Sequence, residues 1–173
     1  MKVLAAGRTL VYVIVFVLGW GWLAHAAQRL DRHLGLQLPS LPPPLGYLMS
    51  AAGTALVVVC LFAFAWRGRG TPAPFDAPRK LIVWGPYRFV RNPIYVGVVV
   101  ALVGIALALR SPSALLLAAA AWLLAHALVM LYEEPSLRRR FGASYERYVL
   151  EVDRWLPRRR RAASGRARGR RSS

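Results

Sequence analysis

The sequence has 173 residues and a mean hydropathy of +0.39, and 57% of its residues are hydrophobic. A soluble domain of this size needs more charge to cover its surface, so the composition excludes an ordinary soluble fold. The formal net charge is +17, which makes nucleic acid and anionic membrane the candidate partners. We expect no nucleic acid, because the basic residues flank apolar segments or fill the tail instead of forming a patch on a soluble domain.

Four apolar segments are predicted to be membrane-spanning helices, at residues 9–27, 45–66, 94–109 and 113–132. The third is short, because its 16 residues reach about 24 Å as a helix and a bilayer core is about 30 Å thick. It either extends at its ends or lies in a locally thin bilayer. The short connection at residues 110–112 makes the third and fourth segments an antiparallel hairpin.

The first segment has two interpretations. Lys2 and Arg8 precede an apolar run, and Ala24–His25–Ala26 has the small-residue pattern of a signal-peptide cleavage site. The run is long for the apolar core of a signal peptide, and it contains the bulky Trp20 and Trp22. We interpret it as a retained span, with a cleaved signal as the alternative.

The basic residues predict the orientation of the four spans. They concentrate at the N-terminus, in the loop after the second span and in the C-terminal region, whereas the other two loops hold only Arg29, Arg32 and Arg110. Because positively charged loops stay cytoplasmic, both termini are predicted to be cytoplasmic.

The sequence also predicts the conformation of two connecting segments and the role of the cysteine. The three prolines at residues 42–44 predict a stiff extended approach to the second span. Residues 67–78 are rich in Gly and Pro and are predicted to be irregular. Cys60 is the one cysteine, so no disulfide and no cysteine-based metal site can form within one chain. We interpret it as a buried small hydrophobe and expect no metal.

A dense polar motif, GPYRFVRNPIYVG at residues 85–97, stands directly before the third span. Asn is a favoured N-cap residue and Pro is favoured in the first helical position, so the third helix is predicted to begin at Pro93. The free N–H groups of its first turn attract anions such as a carboxylate. Arg88 and Arg91 add positive charge beside them.

Two carboxylates end the fourth span, at Glu133 and Glu134. Because the third and fourth spans form a hairpin, we expect these groups close to Arg91, Asn92 and Tyr95. Carboxylates at a helix C-terminus and a membrane boundary are unfavourable, which favours a functional role. The alternative is an ion pair with Arg88 or Arg91 that only closes the hairpin.

The C-terminal segment is predicted to be one amphipathic helix. Its apolar residues recur at spacings of three and four: Leu137, Phe141, Tyr145, Tyr148, Val152 and Trp155. The helix either lies on the bilayer or folds over the polar motif as a lid. The tail at residues 158–173 holds eight of the basic residues. It is predicted to be disordered and attracted to an anionic membrane surface.

The chain resembles the integral-membrane methyltransferases that include isoprenylcysteine carboxyl methyltransferase and phospholipid N-methyltransferase. The matching motifs are GPYRFVRNPIYVG (residues 85–97), LYEEPSL (131–137) and FGASYERY (141–148), followed by Trp155–Leu156–Pro157. The resemblance covers about residues 70–157. It implies an all-α polytopic membrane enzyme that uses S-adenosylmethionine as methyl donor and a lipid or lipophilic small molecule as acceptor.

The resemblance also implies a cofactor site at the cytoplasmic ends of the last spans. Its residues here are Tyr87, Arg91, Asn92, Pro93, Ile94, Tyr95, Glu133 and Glu134. The strand-like residues 79–83 would add backbone contacts, and Gly68–Arg69–Gly70 is the nearest match to a Gly-x-Gly element of the phospholipid branch. The catalytic residues are not assigned.

Two departures from the family pattern bear on the substrate. The common Arg-His-Pro motif is Arg91–Asn92–Pro93 here, a form that also occurs in the phospholipid branch. The isoprenylcysteine branch has an arginine just before its acidic cluster, and residues 126–130 contain none, which puts a prenylcysteine carboxylate in doubt. His126 is either a general base toward the substrate or a locally hydrogen-bonded core histidine, and we favour the second interpretation.

These observations predict three regions: two spans at residues 1–66, a methyltransferase core at 67–157 and the basic tail at 158–173. The leading hypothesis is an S-adenosylmethionine-dependent membrane methyltransferase. One alternative is a non-enzymatic scaffold or lipid-binding protein in which the charged residues form a structural ion-pair cluster. A nicotinamide-dependent reductase ranks last, because no glycine fingerprint follows a strand.

Overall fold

The structure is a computed structural model that describes residues 2–39, 42–63 and 81–158. Within these residues six α-helices follow one another: α1 Lys2–Leu34, α2 Pro43–Ala63, α3 Pro93–Ala108, α4 Pro112–Leu128, α5 Glu134–Phe141 and α6 Ala143–Glu151. A 3₁₀ turn at Gly85–Arg88 precedes α3, and a π-helical turn at Val129–Glu133 joins α4 to α5. These described segments contain no strand, which confirms the all-α prediction and corrects the strand-like interpretation where it falls on residues 81–83.

Among the residues that the structure describes, two stretches are long and apolar enough to cross a membrane, Pro44–Ala63 and Pro112–Phe141. A third apolar helix, Pro93–Ala108, is shorter. Large apolar side chains project from these helices, and that of Leu131 is 80% exposed, which suits a lipid environment. The arrangement with four spans stays a prediction, because α3 has only 16 residues and the described side chains do not cover the first half of α1.

The start of α2 corrects one expectation. The helix begins at Pro43, so the prolines do not form an extended approach to it. A proline ring fits the first turn of a helix because the N–H that proline lacks would have no intrahelical partner there. Residues 64–66 of the predicted second span lie outside the described residues, as does the loop at 67–80.

The fourth span does not end at Glu133–Glu134–Pro135 as predicted, because helical backbone continues to Phe141. The backbone N–H of Glu134 donates to the carbonyl of Val129, a bond that spans five residues. Such a π-helical turn contains one more residue than an α turn. Pro135 has no N–H to donate, and it lies in the first turn after this bulge, where the hydrogen-bond register has already shifted.

The predicted single C-terminal helix is also wrong. Gly142 has φ 49° and ψ −128°, a left-handed backbone conformation that favours glycine, and it separates α5 from α6. Trp155 lies beyond α6, outside any helix. The apolar face survives in part, because Tyr145, Tyr148 and Val152 are buried together.

Glycines bring α2 and α3 into close contact. Gly46 and Gly53 on α2 face Gly97 and Gly104 on α3, and each pair shares a spacing of seven residues. A Cβ atom built on Gly104 would stand 2.4 Å from the backbone N of Ser50. Small residues at this spacing let two helix backbones approach, the usual way in which apolar helices associate in a membrane.

A buried carboxylate joins α1 to the α3–α4 hairpin at the opposite end from the polar motif. Asp31 is 2% exposed and accepts hydrogen bonds from the hydroxyls of Ser111 and Ser113. It also accepts from the backbone N–H of Ser113, 3.2 Å away. Burial alone would raise the pKa of Asp31, but the hydrogen bonds from the two serines outweigh it and hold the pKa below its ordinary value.

Candidate functional site

The first turn of α3 begins at Pro93, as the sequence predicts, with Asn92 in the N-cap position. The Asn92 side chain makes no capping hydrogen bond to the helix. Its amide nitrogen donates instead to the backbone carbonyl of Arg154, 3.4 Å away. The N–H groups of Ile94 and Tyr95 therefore receive no side-chain cap, and they present the positive end of the helix dipole.

Tyr95 reaches from α3 to the π-helical turn after α4. Its hydroxyl donates a hydrogen bond to Glu133 Oε1 over 2.5 Å. Both side chains are partly buried. The contact places a carboxylate beside the uncapped first turn of α3.

The neighbouring carboxylate, Glu134, is enclosed by two arginines. Arg91 Nη1 lies 3.0 Å from Glu134 Oε1. Arg154 binds in bidentate fashion, with Nε 2.6 Å from Oε1 and Nη2 2.9 Å from Oε2. Glu134 is only 7% exposed. We call Arg91, Glu134 and Arg154 the ion-pair cluster.

The π-helical turn explains why adjacent acids face different partners. In an α-helix, residues seven apart lie on one face. One extra residue in the π turn makes a spacing of eight equivalent, so Glu134 lies on the same face as His126. Glu133 is displaced from that face by about 100°, the rotation of one residue at 3.6 per turn. It therefore reaches Tyr95 on α3.

Residues 153–155, which we call the C-terminal strap, bind along these elements. Arg91 N donates to the Asp153 carbonyl over 2.9 Å. Trp155 Nε1 donates to His126 Nδ1 over 3.1 Å, and the Trp122 ring stacks on the same imidazole with centroids 5.3 Å apart. Because Nδ1 accepts this bond, the neutral imidazole carries its proton on Nε2. The structure thus favours the locally hydrogen-bonded interpretation of His126.

Charge and burial act together at the cytoplasmic end predicted for the hairpin. The pKa of Arg154 lies above its ordinary value because its guanidinium is hydrogen-bonded to the Glu134 carboxylate. Burial raises the pKa of Tyr145, and the nearby charge of Glu134 raises it further. Burial likewise raises the pKa of Tyr148, whose hydroxyl donates to the Tyr87 carbonyl over 2.6 Å. Both tyrosines stay neutral, and Tyr148 ties α6 to the 3₁₀ turn before α3.

The model of one protein family, described as phospholipid methyltransferase, matches residues 43–144, which is more than half of the chain. The chain belongs to the phospholipid methyltransferase family. No curated protein matches it. Family membership confirms the resemblance drawn from the motifs, and with the two long apolar helices it indicates a membrane protein of a methyltransferase family.

The structure brings most of the predicted site residues of this phospholipid methyltransferase family member together. Arg91, Asn92, Tyr95, Glu133 and Glu134 meet where α3 begins and the π turn ends. The two acids separate, one toward Tyr95 and one into the ion-pair cluster.

The other three predicted site residues, Tyr87, Pro93 and Ile94, contribute through packing or backbone. Tyr87 is buried before α3, and its carbonyl accepts from Tyr148. Pro93 is buried at the start of α3. Ile94 packs its side chain against a buried group that includes Cys60 and Tyr87, so only its backbone faces the site directly. Cys60 is fully buried, as the sequence predicts. The Gly68–Arg69–Gly70 candidate and residues 79–80 lie outside the described residues.

Two residues of the site were not predicted. Arg154 and Trp155 reach it only through the fold, and both lie beyond the residues that the family model matches. The sequence placed Trp155 on an amphipathic helix and gave Arg154 no role. Arg88, which was expected to add charge, is exposed and stacks on Phe89, 4.8 Å from the ring centroid.

Proposed function

We propose that the chain is an S-adenosylmethionine-dependent methyltransferase that acts on a lipid or a small lipophilic acceptor. The observation that carries the proposal is the Tyr95–Glu133 contact beside the uncapped first turn of α3. It places a carboxylate and free backbone N–H groups together at one end of the hairpin. A ligand that carries both an ammonium and a carboxylate fits this pair of opposite charges.

Each of these groups has its own role in binding the methyl donor. The N–H groups of Ile94 and Tyr95, with Arg91 behind them, bind the carboxylate of the methyl donor's amino-acid end. Glu133 accepts hydrogen bonds from its ammonium or from a ribose hydroxyl. Tyr95 holds the Glu133 carboxylate in place. Glu134 already has two arginine partners, so its role is to hold Arg91 and Arg154.

The bound donor supplies a methyl group on a sulfonium: an electron pair of the acceptor forms the new bond to carbon, and the breaking C–S bond returns its pair to sulfur. Such an in-line displacement depends on alignment more than on a strong acid or base. The protein's contribution is to orient the two reactants and to exclude water. The long apolar helices that carry the site let a lipophilic acceptor approach from the bilayer.

The topology of the proposal follows the distribution of basic residues. Four spans with both termini cytoplasmic put the site at the cytoplasmic membrane face. The Arg-rich tail binds the anionic surface of the same leaflet. Labelling of single cysteines introduced near each terminus, in sealed vesicles, tests this orientation.

The scaffold alternative explains the ion-pair cluster equally well, since Glu134 is a satisfied structural carboxylate. It gives no reason for Glu133. A second carboxylate at the membrane boundary, with a tyrosine as its hydrogen-bond donor, is unfavourable unless it binds something. A variant of Glu133 therefore distinguishes the methyltransferase from the scaffold.

Calorimetric titration of S-adenosylhomocysteine into the detergent-purified protein tests the proposal. We expect micromolar binding by the wild type and by Glu151→Gln, which removes an exposed carboxylate at the end of α6. Binding should disappear in Glu133→Gln while this variant stays folded. If the folded wild type does not bind, the scaffold function replaces the methyltransferase.

A further inference from the structure

Two side chains of the C-terminal strap bind one face of the helix that runs through α4 and the π turn. Arg154 binds Glu134 and Trp155 binds His126. These partners are eight residues apart, which the π turn makes equivalent to two α-helical turns. Consecutive strap residues can therefore reach both partners. Without the bulge, eight residues at about 100° each would turn Glu134 away from His126 by about 80°.

The backbone of the strap binds the other half of the site. The Asp153 carbonyl accepts from Arg91 N over 2.9 Å, and the Arg154 carbonyl accepts from Asn92 Nδ2. The second contact keeps the Asn92 side chain from capping α3. The strap thus connects α4 to the uncapped turn of α3 without contributing a group to that turn.

We propose that Arg154 and Trp155 are positioning residues of the methyl-donor site. Arg154 and Trp155 fix the strap on α4, and the strap backbone then holds Arg91 and Asn92 in the arrangement that leaves the first N–H groups of α3 free. This inference rests on the proposed function and adds two residues outside the matched residues 43–144. Neither residue is expected to touch the acceptor.

The position of the strap requires both the charge and the shape of its side chains. A guanidinium matches the two oxygens of Glu134 with two parallel hydrogen bonds, which an ammonium cannot do. The Trp155 indole N–H donates the hydrogen bond that His126 accepts. A phenylalanine in place of Trp155 would keep an aromatic ring but would have no donor. Three variants therefore weaken the binding of the strap to α4 by different amounts. Arg154→Gln removes the charge, Arg154→Lys keeps the charge but not the two parallel bonds, and Trp155→Phe removes the bond to His126.

Two measurements on the purified full-length protein test the inference. The first is the affinity for S-adenosylhomocysteine. The second, without any ligand, is the hydrogen–deuterium exchange of two backbone amides: that of Arg91, which donates to the strap, and that of Val96, which donates to the Asn92 carbonyl. Matched controls are Arg147→Gln, an exposed arginine on α6, and Trp22→Phe, a tryptophan that is 70% exposed on α1.

We expect Arg154→Gln to weaken binding about tenfold or more, corresponding to the loss of a charge-assisted bidentate contact. Trp155→Phe should weaken it about threefold to tenfold, and Arg154→Lys should recover part of the loss. All three variants should speed amide exchange at Arg91 and Val96 in proportion, because these two amides are hydrogen-bonded in the wild type. The controls should change neither quantity.

The two readouts separate the possible failures. If Arg154→Gln and Trp155→Phe keep wild-type affinity and wild-type exchange, the positioning role is wrong. If all proteins bind no S-adenosylhomocysteine but the exchange responds as expected, the strap still positions α3 and the proposed cofactor is wrong. If affinity falls but exchange is unchanged, the residues do not act through α3, which also overturns the inference.

Discussion

The hydroxyl of Tyr95 donates a hydrogen bond to Glu133 over 2.5 Å and so joins the first turn of α3 to the π-helical turn after α4. One residue further along, Glu134 makes no such contact and is enclosed by Arg91 and Arg154. Two adjacent acids therefore have different surroundings. Ligand affinity should depend directly on the first acid, whereas the second should act on stability and, through Arg154, on the position of the strap.

Tyr95→Phe should weaken S-adenosylhomocysteine binding about fivefold to tenfold, because the Glu133 carboxylate loses the donor that orients it. Calorimetry of the detergent-purified variant measures the change. Tyr47→Phe is the matched control, since Tyr47 is exposed on α2, away from the site. Equal affinity in Tyr95→Phe and the wild type would show that Tyr95 does not orient a ligand group.

Glu134→Gln should lower the free energy of unfolding by about 3 kcal/mol, because it leaves two arginines facing a neutral side chain in a largely buried place. The thermal unfolding midpoint in detergent should fall accordingly. Glu133→Gln should shift the midpoint much less, since it leaves no charge unpaired. A larger stability loss in Glu133→Gln than in Glu134→Gln would reverse the assigned roles.

Gly104→Ala should destabilise the α2–α3 contact by about 1 to 3 kcal/mol, because the new Cβ would stand 2.4 Å from Ser50 N and the helices must separate. Gly21→Ala is the matched control on α1, where nothing lies within 4 Å of the added atom. This control should be neutral or slightly stabilising, because alanine favours a helix. Equal midpoints for both variants would mean that α2 and α3 do not pack this closely.

Asp31→Asn should lower stability at neutral pH by about 1 to 2 kcal/mol, because the serine hydroxyls then face an uncharged oxygen. The folded-state pKa of Asp31 lies below its ordinary value, so its carboxylate stabilises the fold above about pH 4. That contribution is lost as the pH falls through the folded-state pKa.

The pH dependence of the unfolding midpoint measures this effect. The difference between the wild type and Asp31→Asn should shrink as the pH is lowered from about 7 to about 3. Ser144→Ala, an exposed change on α6, should keep a constant difference from the wild type over the same range. A constant difference for Asp31→Asn would show that its ionised form contributes nothing.

The fold could be predicted where local chemistry decided it. Pro93 started α3 where the sequence predicted, because proline suits a first helical turn and Asn92 stands before it. Proline also begins α2 at Pro43, although a run of three prolines by itself favours an extended chain. The predicted end of the fourth helix at Pro135 was wrong, because the π turn lets the helix continue past a proline. A hydrophobic pattern in the sequence does not reveal such a turn.

The site could be predicted in part for the same reason. A short hairpin forces the ends of α3 and α4 together, so the contacts of Arg91 and Tyr95 with the two acids followed from order along the chain. Which acid takes which partner depends on a rotation of about 100° at the π turn. That rotation also aligns Glu134 with His126 and so admits the strap.

The sequence by itself determined the all-α class, the family, the start of α3 and the meeting of the acids with the polar motif, because periodicity, capping chemistry and short connections act over a few residues. Only the tertiary structure decided that Glu133 faces Tyr95, that Glu134 is closed by two arginines, and that Arg154 and Trp155 complete the site. It likewise decided that Asp31 binds Ser111 and Ser113. These contacts join residues 20 to 82 positions apart, and their geometry depends on helix rotation and packing, which no local pattern records.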